Sequence, residues 1–250
     1  MKKISIVVVV FFFGMLLQAQ EKYSASLSGV TWVKMESPAN LTIKTHTKNE
    51  LLIEGGKASK TPERAKGLKL AGEGGEDNTN VGFYVIKEGD DLIVRNLRRS
   101  QNATIYLPSS QNISVKTTRS GNIKIDGFEG EVEATATLNG GVKMENVSGP
   151  LTANTLNGGV SIVFDKVSQK SPITIHSTNG ALNISLPSRT PADISLGTIN
   201  GEIFSNFDLQ VPEKNGLKAI GSSKIRGAIN NGGVMIQLKT INGDIFLRKQ

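Results

Sequence analysis

The sequence predicts an all-β protein folded as a single-stranded parallel β-helix, a right-handed solenoid with rungs of about 18–22 residues. Three observations predict it. The phrase Thr-x-Asn-Gly-x-(Val/Ile/Leu) keeps returning through the second half of the chain. A second glycine phrase falls half-way between its early copies. The stretches between these glycines are about five residues long and apolar at every second position.

The phrase reads Thr137-Leu138-Asn139-Gly140-Gly141-Val142 and Thr155-Leu156-Asn157-Gly158-Gly159-Val160, then Thr198-Ile199-Asn200-Gly201-Glu202-Ile203 and Thr240-Ile241-Asn242-Gly243-Asp244-Ile245. Looser copies carry Ser120-Gly121, Asn179-Gly180 and Asn231-Gly232. The motif glycines stand at 121, 140, 158, 180, 201, 232 and 243, with gaps of 19, 18, 22, 21, 31 and 11. Gly130 and Gly149 fall between the first three, so each rung should hold two short strands and two tight turns. One rung cannot bury its own apolar face, whereas stacked rungs share a continuous core. Asn and Gly at the corner are expected to adopt positive φ and turn the chain sharply. The asparagines should lie above one another and exchange amide hydrogen bonds, while the following Val, Ile or Leu enters the core.

Taken in order, the chain begins with Lys2 and Lys3, an apolar run from Ile4 to Leu17, and Gln18-Ala19-Gln20. That is the layout of a secretory signal peptide over residues 1–19, with cleavage after Ala19 or Gln20. The run is shorter than the roughly 20 residues a helix needs to cross a bilayer, so no stable membrane span is expected after cleavage. The protein is therefore expected outside the cytoplasm, in the periplasm or at the cell surface.

Residues 20–56 should cap the solenoid with three short strands marked by Val30 and Trp32, Leu41 and Ile43, and Leu51 and Ile53. Trp32 reads as a cap over the first turn of the core, with a platform for sugar stacking as the alternative. Residues 57–80 pass from a basic half (Lys57, Lys60, Arg64, Lys66, Lys69) to the glycine-rich Gly72–Asp77, and read as a flexible, solvated surface loop. Val81–Ile86 and Leu92–Asn96 form a hairpin through Glu88-Gly89-Asp90-Asp91. Arg95, Arg98 and Arg99 cluster beyond it, a local anion-contact candidate or a charged strand edge. The β-helical domain is expected over 81–250. Within it Thr104–Pro108 leading to Ile113–Val115 matches Asn183–Pro187 leading to Ile194–Leu196, a larger internal duplication. The 31-residue gap carries residues 206–224, expected to leave the stack as a loop, and Lys249-Gln250 forms a polar end.

Composition narrows the chemistry. The chain has no cysteine, which excludes disulfides, zinc–thiolate and iron–sulfur sites and a cysteine nucleophile. Without Lys2 and Lys3 the formal charge falls from +7 to +5, mild and dispersed, and no nucleic-acid partner is expected. His46 and His176 are the only histidines and sit far apart on alternating strands. No phosphate-cradling loop, His-x-x-x-His pair or serine elbow is present. The alternative enzymatic reading places Glu129, Glu131, Glu133 and Glu145 with Lys124 and Lys143 on neighbouring rungs of one outer face, as a polysaccharide-active enzyme would require. An outer-membrane barrel would need strands about twice as long and girdles of aromatic residues.

Leu107-Pro108, Val115 and Ser120-Gly121-Asn122-Ile123-Lys124-Ile125, together with the closing Gly227–Val234 and Thr240–Ile245, resemble the bacterial DUF4097 family of candidate adhesin domains. The resemblance runs from about Trp32 to Leu247, with 57–80 as a departure. It implies an exported β-helical domain without a family catalytic residue to carry over. The expected function is accordingly non-catalytic, in adhesion or envelope interaction, with an envelope polysaccharide or a surface protein as partner, no cofactor and no metal. An accessory role in sensing envelope stress is the further alternative. No ligand-binding residue is assigned from the sequence.

Overall fold

The computed structural model describes residues 22–55, 63–68, 76–209 and 224–250. The expected leader, most of the 57–80 segment and residues 210–223 of the expected second loop lie outside them. The strands are short because each spans only one side of a rung. The first four are β1 (Lys22–Ser26), β2 (Trp32–Ser37), β3 (Leu41–His46) and β4 (Glu50–Gly55). After a single 3-10 turn at Glu63–Ala65 come β5 (Phe83–Glu88) and β6 (Asp91–Asn96). They form the predicted hairpin, closed by Gly89 at φ +60°. β7 (Ala103–Pro108), β8 (Asn112–Thr117), β9 (Ile123–Asp126), β10 (Val132–Ala136) and β11 (Val142–Val147) follow. Then come β12 (Leu151–Thr155), β13 (Val160–Phe164), β14 (Ile173–Ser177), β15 (Leu182–Leu186) and β16 (Ala192–Gly197). The chain closes with β17 (Ile203–Ser205), β18 (Lys224–Ile229), β19 (Val234–Thr240) and β20 (Ile245–Lys249).

These strands make two ten-stranded sheets. Each rung gives one strand to each, as β8 and β9 or β12 and β13 do. Alternation then decides burial: Val142, Met144, Val160, Ile162, Leu182 and Ile184 point inward from one sheet and are at most 2% exposed. Leu151, Ala153, Ile173 and Ile175 meet them from the other. Burying each Val, Leu or Ile contributes about 1.5–3 kcal/mol, so the stack is held mainly by this shared apolar interior. Phe128 and Phe164, both fully buried, fill the side between the sheets away from the Asn-Gly corners.

An uninterrupted parallel helix is not what forms. The sheets are mixed, parallel through the middle and antiparallel where β1, β4, β5 and β18 cover the ends. Nor do the rungs stack in chain order. Strand neighbours give the order β6–β7, β2–β3, β8–β9, β10–β11, β12–β13, β14–β15, β19–β20, β16–β17. At each end the chain jumps over one rung. β7 crosses β2–β3 to reach β8, and β15 crosses the space later filled by β19–β20 to reach β16. The duplicated Leu-Pro phrase marks both jumps. Gln111 N–H donates to the Pro108 carbonyl at 3.1 Å in one, and Thr190 N–H to the Pro187 carbonyl at 3.0 Å in the other. Each turn is tied to the rung it skips: Gln111 Nε2 donates to Thr31 O, and Asn230 Nδ2 to Ser188 O and Thr190 O.

The corner phrase works differently from the expectation of positive φ. Among the motif glycines only Gly232 has one. The others are needed because successive corners approach too closely for a side chain. A Cβ on Gly158 would lie 2.6 Å from the Gly140 carbonyl carbon, and one on Gly243 2.6 Å from that of Gly180. At several corners a buried hydroxyl answers a glycine carbonyl: Thr155 Oγ1 donates to Gly158 O at 2.6 Å and Thr240 Oγ1 to Gly180 O at 3.0 Å. The asparagines stack as expected. Asn157 Nδ2 donates to Asn139, Asn179 to Asn157, Asn242 to Asn179 and Asn200 to Asn242, over 2.6–3.1 Å. The ladder skips from 179 to 242 and only then reaches 200, which records the inserted rung.

Candidate binding surface

The outward half of each strand forms two broad polar faces, and the residues singled out from sequence divide between them. Glu133 lies on β10, in the sheet of β8 and β12, whereas Glu145, Lys143 and Lys124 lie on β11 and β9 in the opposite sheet. The carboxylates expected on one outer face are therefore on two. Lys143 and Glu145 pair with each other at 2.9 Å, and Lys124 and Asp126 are their cross-strand neighbours, so charge on that face is locally balanced. His46 Nε2 lies 2.8 Å from the Glu50 carbonyl oxygen across the β3–β4 turn. Trp32 does not cap the core. Val33 and Met35 take the inward positions of β2, which turns Trp32 out, half-buried between Asp91 and Asn112. Arg95 stands between Tyr84 and Glu36, and the Arg98 side chain lies over Gly82. The described end of the 57–80 segment is fixed: the Asp77 carboxylate accepts from the N–H groups of Thr79, Asn80 and Gly82, and Asn78 makes two hydrogen bonds with the Val85 backbone.

A depression runs along β16, near the end of the second sheet. β16 has β19 on one side and β18 on the other, in register, so its outward residues form three cross-strand triads. Asp193 lies between Met235 and Ala228, Ser195 between Gln237 and Arg226, and Gly197 between Lys239 and Lys224. The central residues are short and half-buried. Met235, Gln237, Lys239, Lys224 and Arg226 are exposed and stand up as rims. The result is a trench made of two adjoining depressions of about 520 and 220 Å³, which share Ser195 and Gln237. Its walls are about 10 Å apart, two strand spacings, and its three triads span roughly 13 Å.

The trench is graded. One end carries the Met235 thioether and the Ala228 methyl, the middle offers a hydroxyl, an amide and a guanidinium, and the far end is cationic. Asp193 is drawn to the β18–β19 turn, where a Cβ on Gly232 would come within 2.8 Å of its Oδ1. Beyond Lys239, on β14, stands His176. Burial pushes His176 below its ordinary value, and the Lys239 ammonium pushes it in the same direction.

On the other sheet, the end of the stack carries Phe204 and Phe246 in parallel contact, with centroids 5.2 Å apart, and the Arg248 guanidinium 5.1 Å from the Phe246 centroid. Neither feature was singled out from sequence. Each depends on strands brought together by the inserted rung, and the small outward pair Ser195 and Gly197 is the only local trace of the trench.

A family model described as Toastrack DUF4097 matches residues 109–248. Among solved structures, a candidate cell adhesion protein from Clostridium sporogenes ATCC 15579 superposes with a TM-score of 0.50 at 10% identity, covering 92% of this chain and 98% of that one. A candidate adhesin from Bacteroides fragilis NCTC 9343 gives 0.38 at 11% identity, covering 92% and 96%. No curated protein matches the chain in sequence.

Proposed function

The chain belongs to the Toastrack DUF4097 family, and from that premise we propose that it is a non-catalytic binding module of the cell envelope, acting in adhesion outside the cytoplasm. The trench over β16 is the observation that carries this reading. It is a preformed concavity, it mixes apolar, hydrogen-bonding and cationic groups, and its outward floor residues, Asp193, Ser195 and Gly197, pack no core. The Lys2-Lys3 and Ile4–Leu17 leader supports export. The candidate role in cell adhesion of the Clostridium protein is consistent with it, though that likeness is one of fold.

The test is capture. Immobilised protein beginning at Gln20 should retain envelope fragments from lysed bacteria. Ser195→Phe, which fills the trench, should lose most of that material. Ser161→Phe, an equivalent outward position on the opposite sheet, should keep it. Equal retention by both variants, or none by the parent chain, would overturn the assignment.

A further inference from the structure

We propose that a second copy of this chain docks on the Asn-Gly corner, the two copies lying antiparallel about a two-fold axis at Leu156. This edge is separate from the trench, so the inference stands apart from the adhesion reading.

The corner carries an apolar ridge. Each rung adds one side chain just before its corner asparagine or Ser120, and the main chain fixes their order. Asn139 N–H donates to Arg119 O, Asn157 to Leu138 O, Asn179 to Leu156 O, Asn242 to Thr178 O and Asn200 to Ile241 O, over 2.8–3.0 Å. The line therefore runs Arg119, Leu138, Leu156, Thr178, Ile241, Ile199, in steps of about 4.8 Å. Leu138 is 46% exposed, Leu156 39% and Ile199 65%. The fold does not demand leucine or isoleucine at this position, since Arg119 and Thr178 fill it in other rungs. Apolar side chains left in water along one edge mark a docking surface.

Charge at the corner names the partner. Across residues 118–122, 137–141, 155–159, 177–181, 240–244 and 198–202, the first rung carries Arg119, the last two carry Asp244 and Glu202, and those between carry no charge. Lys116 and Lys239, on the strands leading in, share one ladder row near the two ends and so do not distinguish them. An edge that is basic at one end, acidic at the other and apolar between is complementary to itself turned end for end. With the axis at Leu156, that residue meets its counterpart and Leu138 meets Thr178. Arg119 then meets the rung of Asp244, with Glu202 one step beyond. Gly141, Gly159 and Ala181 keep the neighbouring margin of the corner low, which leaves room for the partner's ridge. The ridge is about 24 Å long and one side chain wide. It covers less than the ~800 Å² per partner of a standard interface, so the dimer is weak and forms as concentration rises.

Sedimentation equilibrium of the parent chain up to about 1 mM tests this, and the mass should climb toward dimer and no further. Leu156→Lys should remove the association. Arg119→Glu should weaken it about tenfold, because a two-fold interface contains each contact twice. Combining Arg119→Glu with Glu202→Arg should restore it. Met235→Lys, which replaces a comparably exposed apolar side chain on the second sheet, should leave it unchanged. An unchanged circular dichroism spectrum and thermal midpoint would show that the variants fold. The register is read by oxidation, since the chain has no cysteine. Leu156→Cys should form a disulfide dimer, whereas Arg119→Cys, about 19 Å from its counterpart, should not. A parent chain monomeric at about 1 mM, species larger than a dimer, undiminished association of Leu156→Lys, or ready self-linking of Arg119→Cys would overturn the inference. Should the parent stay monomeric while Leu156→Lys loses envelope fragments, the ridge serves a foreign partner and the second copy is the wrong occupant. The trench is judged separately, by Ser195→Phe.

Discussion

A side chain on Gly158 has nowhere to go, because its Cβ would lie 2.6 Å from the carbonyl carbon of Gly140 one rung away. The contact is backbone against backbone, so no rotamer change relieves it. Gly158→Ala is expected to destabilise by more than about 3 kcal/mol, at the severe end of single substitutions. Gly89→Ala tests the other use of glycine. Gly89 has φ +60° and open space around it, so alanine there should cost only the left-handed penalty of about 1–2 kcal/mol. Equilibrium denaturation of the two variants gives the comparison, and equal losses would contradict the close-approach role.

The asparagine ladder should contribute by increments. Asn157 donates to Asn139 and accepts from Asn179, whereas Asn200 at the end donates only to Asn242. Asn157→Asp keeps the acceptor and removes the donor, costing about 1 kcal/mol near neutral pH. Part of that should return below about pH 4, where a protonated carboxyl can donate again. Denaturation midpoints of the variant and the parent chain across this range test it.

The pH dependence has two separable parts. His176 has its pKa lowered by burial and by Lys239, so the unfolded chain binds the proton more readily than the folded one. Stability should therefore fall as pH drops through the ordinary histidine value of 6.5, and level off below the folded-state pKa. His176→Gln should flatten that part of the curve. Glu54 is lowered by its hydrogen bond to Lys22, with burial opposing. Its contribution is present above 4.5 and is lost as pH falls through the folded-state pKa, so Glu54→Gln should lower the midpoint above 4.5 and flatten the acid limb. Thermal midpoints measured from pH 8 to pH 3 separate the two.

The cross-over turns should be sensitive to the side chains that tie them down. Asn230→Ala removes both hydrogen bonds to the Pro187–Thr190 turn and places alanine at φ +47°. About 2–3 kcal/mol is expected, one part lost hydrogen bonds and one part backbone strain. Asn230→Gly should restore the strain part only, and chemical denaturation of the pair checks the division.

Much of this fold was legible in the sequence because the rung is a local object. The alternation at Val142 and Met144, the stacking asparagines and the half-way glycines each follow from a few adjacent residues. Rung order was not legible, because β14, β16 and β19 carry the same alternating pattern and any of them could cover another. The gaps of 31 and 11 residues were the only signs of disorder in the count. Trp32 was misplaced for a related reason. In its strand Trp32 alternates with Lys34 and Glu36, and the other set, containing Val33 and Met35, faces inward. The trench was invisible because β16 meets β18 and β19, strands that follow it only much later in the sequence.

The inserted rung is the central claim, since the trench, the aromatic pair and the order of the ladder all depend on it. A chain without cysteine allows a direct measurement, oxidative cross-linking of paired cysteines at the corner asparagines. Neighbouring rungs lie about 4.8 Å apart, within disulfide reach, and rungs one step further lie near 10 Å, beyond it. Asn179→Cys with Asn242→Cys should cross-link readily, and Asn179→Cys with Asn200→Cys should not. Efficient cross-linking of 179 to 200, with none between 179 and 242, would mean that the rungs stack in chain order and that the β16 trench does not exist.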